Sequence, residues 1–353
     1  MYYSGIDLHK DMSWITTIHE DGSVIKQGKV PNDPGRILEF FFSLEGEHRA
    51  VVESTSNWYW LSDLLREHGI NLVLAHAKYV KAISYAKVKT DKVDSSTLAQ
   101  LLRMNLIPVA HQISPELRPL RDLMRARLNL VHKRISCINS IHRLFEKFNL
   151  SLDEYDLHTL QAYEVLQTLP LPSQYQFQLR CLIDQILLLR DQIRELEKSL
   201  HPHLVPNPDI QRLLRAPGIG KISAFTLYLE IDGIERFADE KHFFSYCRLV
   251  PGASNSNQKL KHKSGNKDGN KYLKLAFTEI AVHAMQFYPE IKRFYQAKAR
   301  KAPRAVARTI VAKEMARMAF HMLKEHSEFK TFKGQPLSKT KKREWPRLLS
   351  PRA

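Results

Sequence analysis

Tyr2-Tyr3-Ser4-Gly5-Ile6-Asp7-Leu8, Ser13-Trp14-Ile15-Thr16-Thr17-Ile18-His19 and Ser23-Val24-Ile25-Lys26-Gln27-Gly28-Lys29-Val30 follow one another at the start of the chain. The runs are rich in β-branched and aromatic residues, which suit a pleated, half-buried surface. Asp21-Gly22 between the second and third is a hairpin turn signal. Pro31-Asn32-Asp33-Pro34-Gly35 then breaks the sheet. A helix with Ile37, Leu38, Phe41 and Phe42 inward follows, then a fourth strand at 49–53, a helix at 57–68 and a short buried strand at 70–75. Three antiparallel strands followed by strand-helix-strand alternation predict a mixed α/β sheet.

The 353 residues suffice for two or three domains with real cores, and 43% hydrophobic content with 26% charge describes a globular chain. The net charge of +17 points to a polyanionic partner, nucleic acid before an anionic membrane surface. No apolar run approaches the length of a spanning helix, and the first residues carry neither a basic leader nor a signal core, so a membrane partner is not expected. Three scattered cysteines give no disulfide framework or zinc motif, in keeping with a reducing cytoplasm.

Two of the strands end in acids, Asp7 and Glu53. A third acidic feature is Lys89-Thr90-Asp91-Lys92-Val93-Asp94, followed by Leu98, Leu101 and Leu102 at helical spacing. Asp91 and Asp94 stand at i and i+3, on one helix face, where like charges are unfavourable unless a cation lies between them. Taken alone, the pair reads first as a capping aspartate and a solvated first-turn neighbour, both favoured by the helix dipole. Taken in order with Asp7 and Glu53, the set resembles the ribonuclease H-like sheet of RuvC-type nucleases. That resemblance implies that the four acids converge on one sheet edge and hold two Mg²⁺ ions. Lys78, Lys81, Lys87, Lys89 and Lys92 surround the pair, as a solvated basic face or, beside a metal site, as phosphate contacts.

Residues 115–149 read as a long helix with an apolar stripe from Leu120 to Phe145 and eight basic residues available to grip a nucleic-acid backbone. Leu179, Leu182, Ile186, Leu189, Ile193, Leu196 and Leu200 form a heptad seam over about three heptads. It suits a coiled coil between copies of the chain, or a hairpin within one copy. Pro217-Gly218-Ile219-Gly220-Lys221 between two helices resembles a helix-hairpin-helix turn, whose backbone N–H groups can receive a phosphate. The alternative is an ordinary interhelix turn. A polar loop after Leu249-Val250-Pro251 carries Lys259, Lys261, Lys263 and Lys267, a phosphate-binding surface. The tail from Thr331 is basic and proline-containing, with the composition of a segment disordered when free.

Gly5-Ile6-Asp7, Val52-Glu53, Lys89 to Asp94, Pro217 to Gly220, Leu249-Val250-Pro251 and Lys267-Asp268-Gly269-Asn270, in this order, resemble the DEDD transposases that include Piv-type DNA invertases and bridge-RNA-guided insertion-sequence recombinases. The resemblance implies a nucleophilic serine after the Val-Pro element. Counting from Pro251 and from Gly269-Asn270 places it at Ser256, with Ser254 and then Ser264 as alternatives. The family commonly has Ser-Ser-Gly there, and this chain has Asn255-Ser256-Asn257 instead. The resemblance also implies metal binding by Asp7, Glu53, Asp91 and Asp94, double-stranded DNA of element ends and target as substrate, and a structured guide RNA. It implies a homo-oligomer, dimer to tetramer, whose active sites combine acids and serine from different subunits. The competing readings are a RuvC-like structure-specific endonuclease that uses water, and a non-catalytic nucleic-acid-binding protein.

The expected architecture is α/β plus α. A RuvC/ribonuclease H-like mixed-sheet domain spans 1–112, a long helix and coiled-coil oligomerisation segment 113–205, a mainly helical C-terminal domain with the helix-hairpin-helix-like motif 206–330, and a basic tail 331–353.

Overall fold

The computed structural model describes residues 1–338 other than 56, 85–89, 153, 204–206, 252–254, 257–258, 261–267, 330 and 335. The chain divides into two compact units, Met1–Pro115 and Glu116–Ala353.

The first unit is a mixed α/β fold. Strands β1 (Tyr2–Leu8), β2 (Met12–Ile18) and β3 (Val24–Pro31) lead to helix α1 (Pro34–Phe42). Strand β4 (His48–Glu53), α2 (Trp58–Glu67), β5 (Asn71–Ala75), α3 (Ala77–Ile83) and α4 (Asp91–Arg103) complete it. The five-stranded sheet has the order β3-β2-β1-β4-β5. β1, β2 and β3 pair antiparallel, whereas β4 runs parallel to β1 and to β5. This topology is consistent with the expected ribonuclease H-like arrangement. The strand period of two separates the faces. Ile6, Ile15, Val52 and Leu74 pack with Ile37, Phe41, Leu61 and Leu65 of α1 and α2. Val51 and Ala75 pack on the other face with Leu98, Leu101 and Leu102 of α4. In α1 the inward residues are Ile37, Phe40 and Phe41, and Phe42 is exposed, so the apolar run Phe40-Phe41-Phe42 is divided between core and solvent.

The second unit is helical. α5 (Arg118–Glu146), α6 (Leu160–Thr168) and α7 (Ser173–Leu200) come first. α8 (Pro208–Leu214), α9 (Lys221–Ile231) and α10 (Glu240–Tyr246) follow. The two-residue strands β6 (Asn255–Ser256) and β7 (Lys259–Leu260) pair antiparallel. α11 (Lys271–Phe287), α12 (Pro289–Ala299) and α13 (Arg304–Lys324) close the chain. α5 and α7 run antiparallel, since Arg127 Nε donates to Glu197 Oε1 at 2.6 Å and Cys137 Sγ lies 3.4 Å from Gln185 Oε1. Much of the heptad seam is used inside the chain. Leu179 and Ile186, joined by Ile183, are buried with Ile138, Ile141 and Phe145 of α5, and Leu200 enters the second core with Met124. On this face the hairpin within one copy prevails over a coiled coil between copies. A covalently linked partner helix covers the stripe without the entropy cost of association.

The second core gathers Leu213, Ile219, Leu227, Phe243, Phe277, Ile280, Met315 and Phe320 from α8 to α13. The expected disorder of the tail needs correction at its start. Phe332 is 4% exposed and packs edge-on to Phe294, Lys333 Nζ lies 2.7 Å from Glu314, and Ser338 Oγ donates to Glu290 at 2.6 Å. One aromatic anchor and two charged partners outweigh the basic composition over these residues.

Candidate active site and nucleic-acid interface

The first candidate site is built by backbone approach. A Cβ on Gly5 would stand 2.0 Å from the Ser95 carbonyl oxygen and 2.5 Å from the Ala99 nitrogen. Only glycine lets α4 lie this close to β1. The approach is locked by Thr16 Oγ1 and Ser95 Oγ, which share a 2.7 Å hydrogen bond between fully buried side chains. Gly5 and Asp7 are two residues apart on β1, and Ser95 follows Asp91 and Asp94 by less than two helical turns. The contact that fixes the helix therefore brings its acidic first turn to the end of the strand.

Thr90, and not an aspartate, caps α4: its hydroxyl accepts from the Val93 N–H at 3.3 Å. Asp91 and Asp94 are both first-turn residues. Asp7 and Asp91 meet across His9, whose Nε2 lies 3.3 Å from Asp7 Oδ2 and 3.3 Å from Asp91 Oδ1. One ligand atom from each of Asp7, His9 and Asp91 lies within 4.8 Å of the others. Glu53 ends β4, and the parallel register Ile6↔Val52 makes it the next residue beside Asp7. Asp7 is the most enclosed of the trio, with 24% of its side chain exposed against 54% for His9 and 52% for Asp91. The loop behind it is tied down by Asn32 and Asn57, which donate to the His9 carbonyl at 2.9 and 2.7 Å.

His9 is absent from the sequence reading. Its signal was the Asp7-Leu8-His9 spacing, which returns the third residue toward the side of the first as the strand ends. Lys92 is exposed at the start of α4, whereas Lys89 lies outside the described residues.

In the second unit, Ser256 stands on β6 paired with Lys259 on β7. Ser254, Ser264, Lys261, Lys263 and Lys267 lie outside the described residues. The Pro217 to Gly220 turn joins α8 to α9, with Gly220 at the helix start and Lys221 exposed. Gly218 has a packing reason of its own, since a Cβ there would stand 2.5 Å from the Ile280 carbonyl oxygen of α11. The α5 arginines are partly used internally: Arg125 grips Glu230 of α9 with two hydrogen bonds of 2.6 and 2.7 Å, and Arg127 grips Glu197. Arg125 also faces a cleft of about 850 Å³ between α5 and α11, lined by His132, Lys271, Tyr272, Lys274 and Asp122. That wall is mixed, with basic side chains and one aromatic ring able to receive phosphates and bases beside Asp122 and apolar residues such as Leu128 and Leu275.

Two transposase family models match the chain, one described as "Transposase" over residues 4–149 and one as "Transposase IS116/IS110/IS902 family" over 210–296. The chain belongs to this transposase family. The transposase is 25% identical over 280 residues to a probable family 20 transposase of Pseudomonas aeruginosa, covering 76% of this chain and 80% of that protein. It is also 25% identical over 274 residues to the transposase for insertion sequence element IS1111A of Coxiella burnetii, covering 75% and 70%. A transposase for element IS1328 of Yersinia enterocolitica matches at 25% over 243 residues, covering 67% and 70%. As a family member the protein is a DNA transposase. Among the described residues, no helix is long and apolar enough to cross a membrane.

Proposed function

We propose that this transposase moves an insertion sequence by cutting and rejoining DNA with a metal-binding acid site and a serine nucleophile. The observation that carries the reading is the meeting of Asp7 and Asp91 across His9. Asp7, Glu53, Asp91 and Asp94 would hold Mg²⁺, two ions by the family pattern, and their carboxylate oxygens are the hard donors this cation prefers. When bound, Mg²⁺ supplies charge neutralisation at a scissile phosphate and orientation of the attacking oxygen.

The side chains do the rest. Ser256 Oγ forms a bond to phosphorus, the bridging P–O bond to one DNA strand end breaks, and the departing oxygen takes the proton. The phosphoserine conserves the bond energy, so a second strand hydroxyl can displace the serine and reseal the backbone. Lys89, Lys92, Lys221, Lys259, Lys261, Lys263 and Lys267 hold phosphates in this reading, with the Gly218–Gly220 turn presenting backbone amides. Sequence choice belongs in this reading to a structured element-encoded RNA pairing with donor and target DNA, read by the basic protein through backbone and shape. The acids and the serine would come from different subunits of a tetramer, with the domain division 1–112, 113–205, 206–330 and 331–353.

Strand cleavage measured on element-end DNA tests the reading. Asp7→Asn and Asp91→Asn should lower it by about a thousandfold or more, as expected when a metal ligand is lost. Ser256→Ala should abolish the covalent protein–DNA adduct. Recombination that persists in Ser256→Ala would remove Ser256 from the mechanism. A discrete noncoding RNA co-purifying with the protein supports guidance, and only random cellular RNA argues against it.

A further inference from the structure

We infer that Arg125, Glu230 and Asn270 form a buried clamp that positions the Ser256 hairpin for attack, an assignment that rests on the serine reading above. Glu230 lies on α9 in the run Leu227-Tyr228-Leu229-Glu230-Ile231, and 2% of its side chain is exposed. Arg125 Nε donates to Oε1 at 2.6 Å, Arg125 Nη2 to Oε2 at 2.7 Å, and Asn270 Nδ2 to Oε2 at 2.7 Å. The Arg125 guanidinium also lies over the Tyr272 ring, 4.3 Å from its centroid.

Asn270 is where the chain returns from the serine hairpin. Its Oδ1 accepts from the Tyr272 and Leu273 N–H groups at 2.9 and 3.1 Å, capping α11. Its backbone N–H donates to the Tyr246 carbonyl at 2.6 Å, at the end of α10. Beside it, Arg248 Nε donates to the Gly269 carbonyl at 2.7 Å. Residues 246–248 and 269–270 are thus fastened to each other, and β6 and β7 stand between them.

The energetics favour a positioning role over a purely stabilising one. A buried ion pair is commonly no more stabilising than apolar residues of the same volume, because two charges lose their water. What the pair contributes is direction. Glu230, held by two parallel hydrogen bonds, offers Oε2 to one face of the Asn270 amide, so Nδ2 must turn there and Oδ1 must turn to α11. Both ends of the serine segment inherit that orientation. Arg125 and Glu230 touch no reacting atom in this assignment; they act through Asn270.

The test compares full-length protein with Asn270→Asp, Glu230→Gln and the double variant Asn270→Asp/Glu230→Gln, with Ser256→Ala as control. Element-end DNA is bound first, and the rate of covalent adduct formation is read on denaturing gels. DNA affinity and melting temperature are measured alongside. In Asn270→Asp the introduced carboxyl can still cap α11 but presents an oxygen to Glu230 in place of an N–H. The single variant should therefore form adduct about tenfold more slowly, the scale of one buried hydrogen bond lost, at nearly unchanged affinity. The double variant restores an N–H donor between positions 230 and 270, at the expense of one Arg125 bond, and should recover part of the rate.

Adduct formation that tracks the folded fraction alone, without recovery in the double variant, overturns the clamp. So does a wild-type rate in well-folded Asn270→Asp. Adduct surviving in Ser256→Ala overturns the serine reading instead, and mapping the modified peptide separates the two failures.

Discussion

In the proposed reading, the acid site and the neck of the serine segment each hold a reactive group still, by opposite means. In the first unit the holding is done by backbone. β1 and β4 lie in parallel register, a glycine lets α4 rest on β1, and the acids project from element ends with Asp91 and His9 about half exposed. In the second unit the holding is done by side chains, with a carboxylate buried to 2% exposure and three polar groups directed at one another. The first arrangement leaves charge open toward solvent and suits a site completed by cations and phosphate. The second neutralises its charge internally and suits a support that stays the same throughout the reaction.

The comparison can be broken where each device is weakest. Arg125→Met removes the partner of a buried carboxylate, and the second unit should lose about 3 kcal/mol, the lower end for such a loss because the guanidinium keeps some solvent contact. Chemical denaturation should locate this loss in the helical unit and leave the sheet unchanged. Gly5→Ala forces α4 off β1, and overpacking of this kind should cost about 1–3 kcal/mol. It should also lower cleavage in Mg²⁺, because Asp91 moves with the helix while Asp7 does not. Unchanged metal-dependent cleavage in a folded Gly5→Ala protein would show that the acid site tolerates that displacement.

The smallest effect sharpens the contrast between buried and half-exposed pairs. Burial works against the Glu240 carboxylate, but Arg317 at 3.0 Å and His321 at 3.3 Å outweigh it and hold its pKa below the usual glutamate value. A depressed acid pKa stabilises the fold above the unfolded value of 4.5 and loses that contribution as pH falls through the folded value. Glu240→Gln should therefore cost only about 0.5–1 kcal/mol at neutral pH, as for half-exposed pairs, and nothing once the pH is well below 4. Melting curves across pH 3–7 check it.

Much of the first unit was legible because its signals are local. β-branched runs, Asp21-Gly22 and the proline break predict strands whose pairing order then follows from few alternatives. Asp7, Glu53 and Asp91 could be proposed from the sequence because each sits at an element end in a fixed order. His9 was missed because a single exposed histidine has no pattern of its own. The clamp was missed for a different reason. Arg125 and Glu230 are 105 residues apart, and Arg125 sits among basic residues that read as a phosphate grip. The one available signal was a lone carboxylate inside the apolar run Leu227–Ile231, which demands a buried cation without naming it. Heptad spacing likewise marks a helix partner but not whether it lies in the same chain, and α5 answered that question.

The fastening of Tyr246 to Asn270 has a consequence for how such a chain can change. Since the two anchor points are joined by a backbone hydrogen bond, residues between them can be added or removed at a cost that grows only slowly with length. Everything outside the junction keeps its place. The intervening stretch is thus a cassette: its length can change around Ser256 while the helices on either side remain a common chassis.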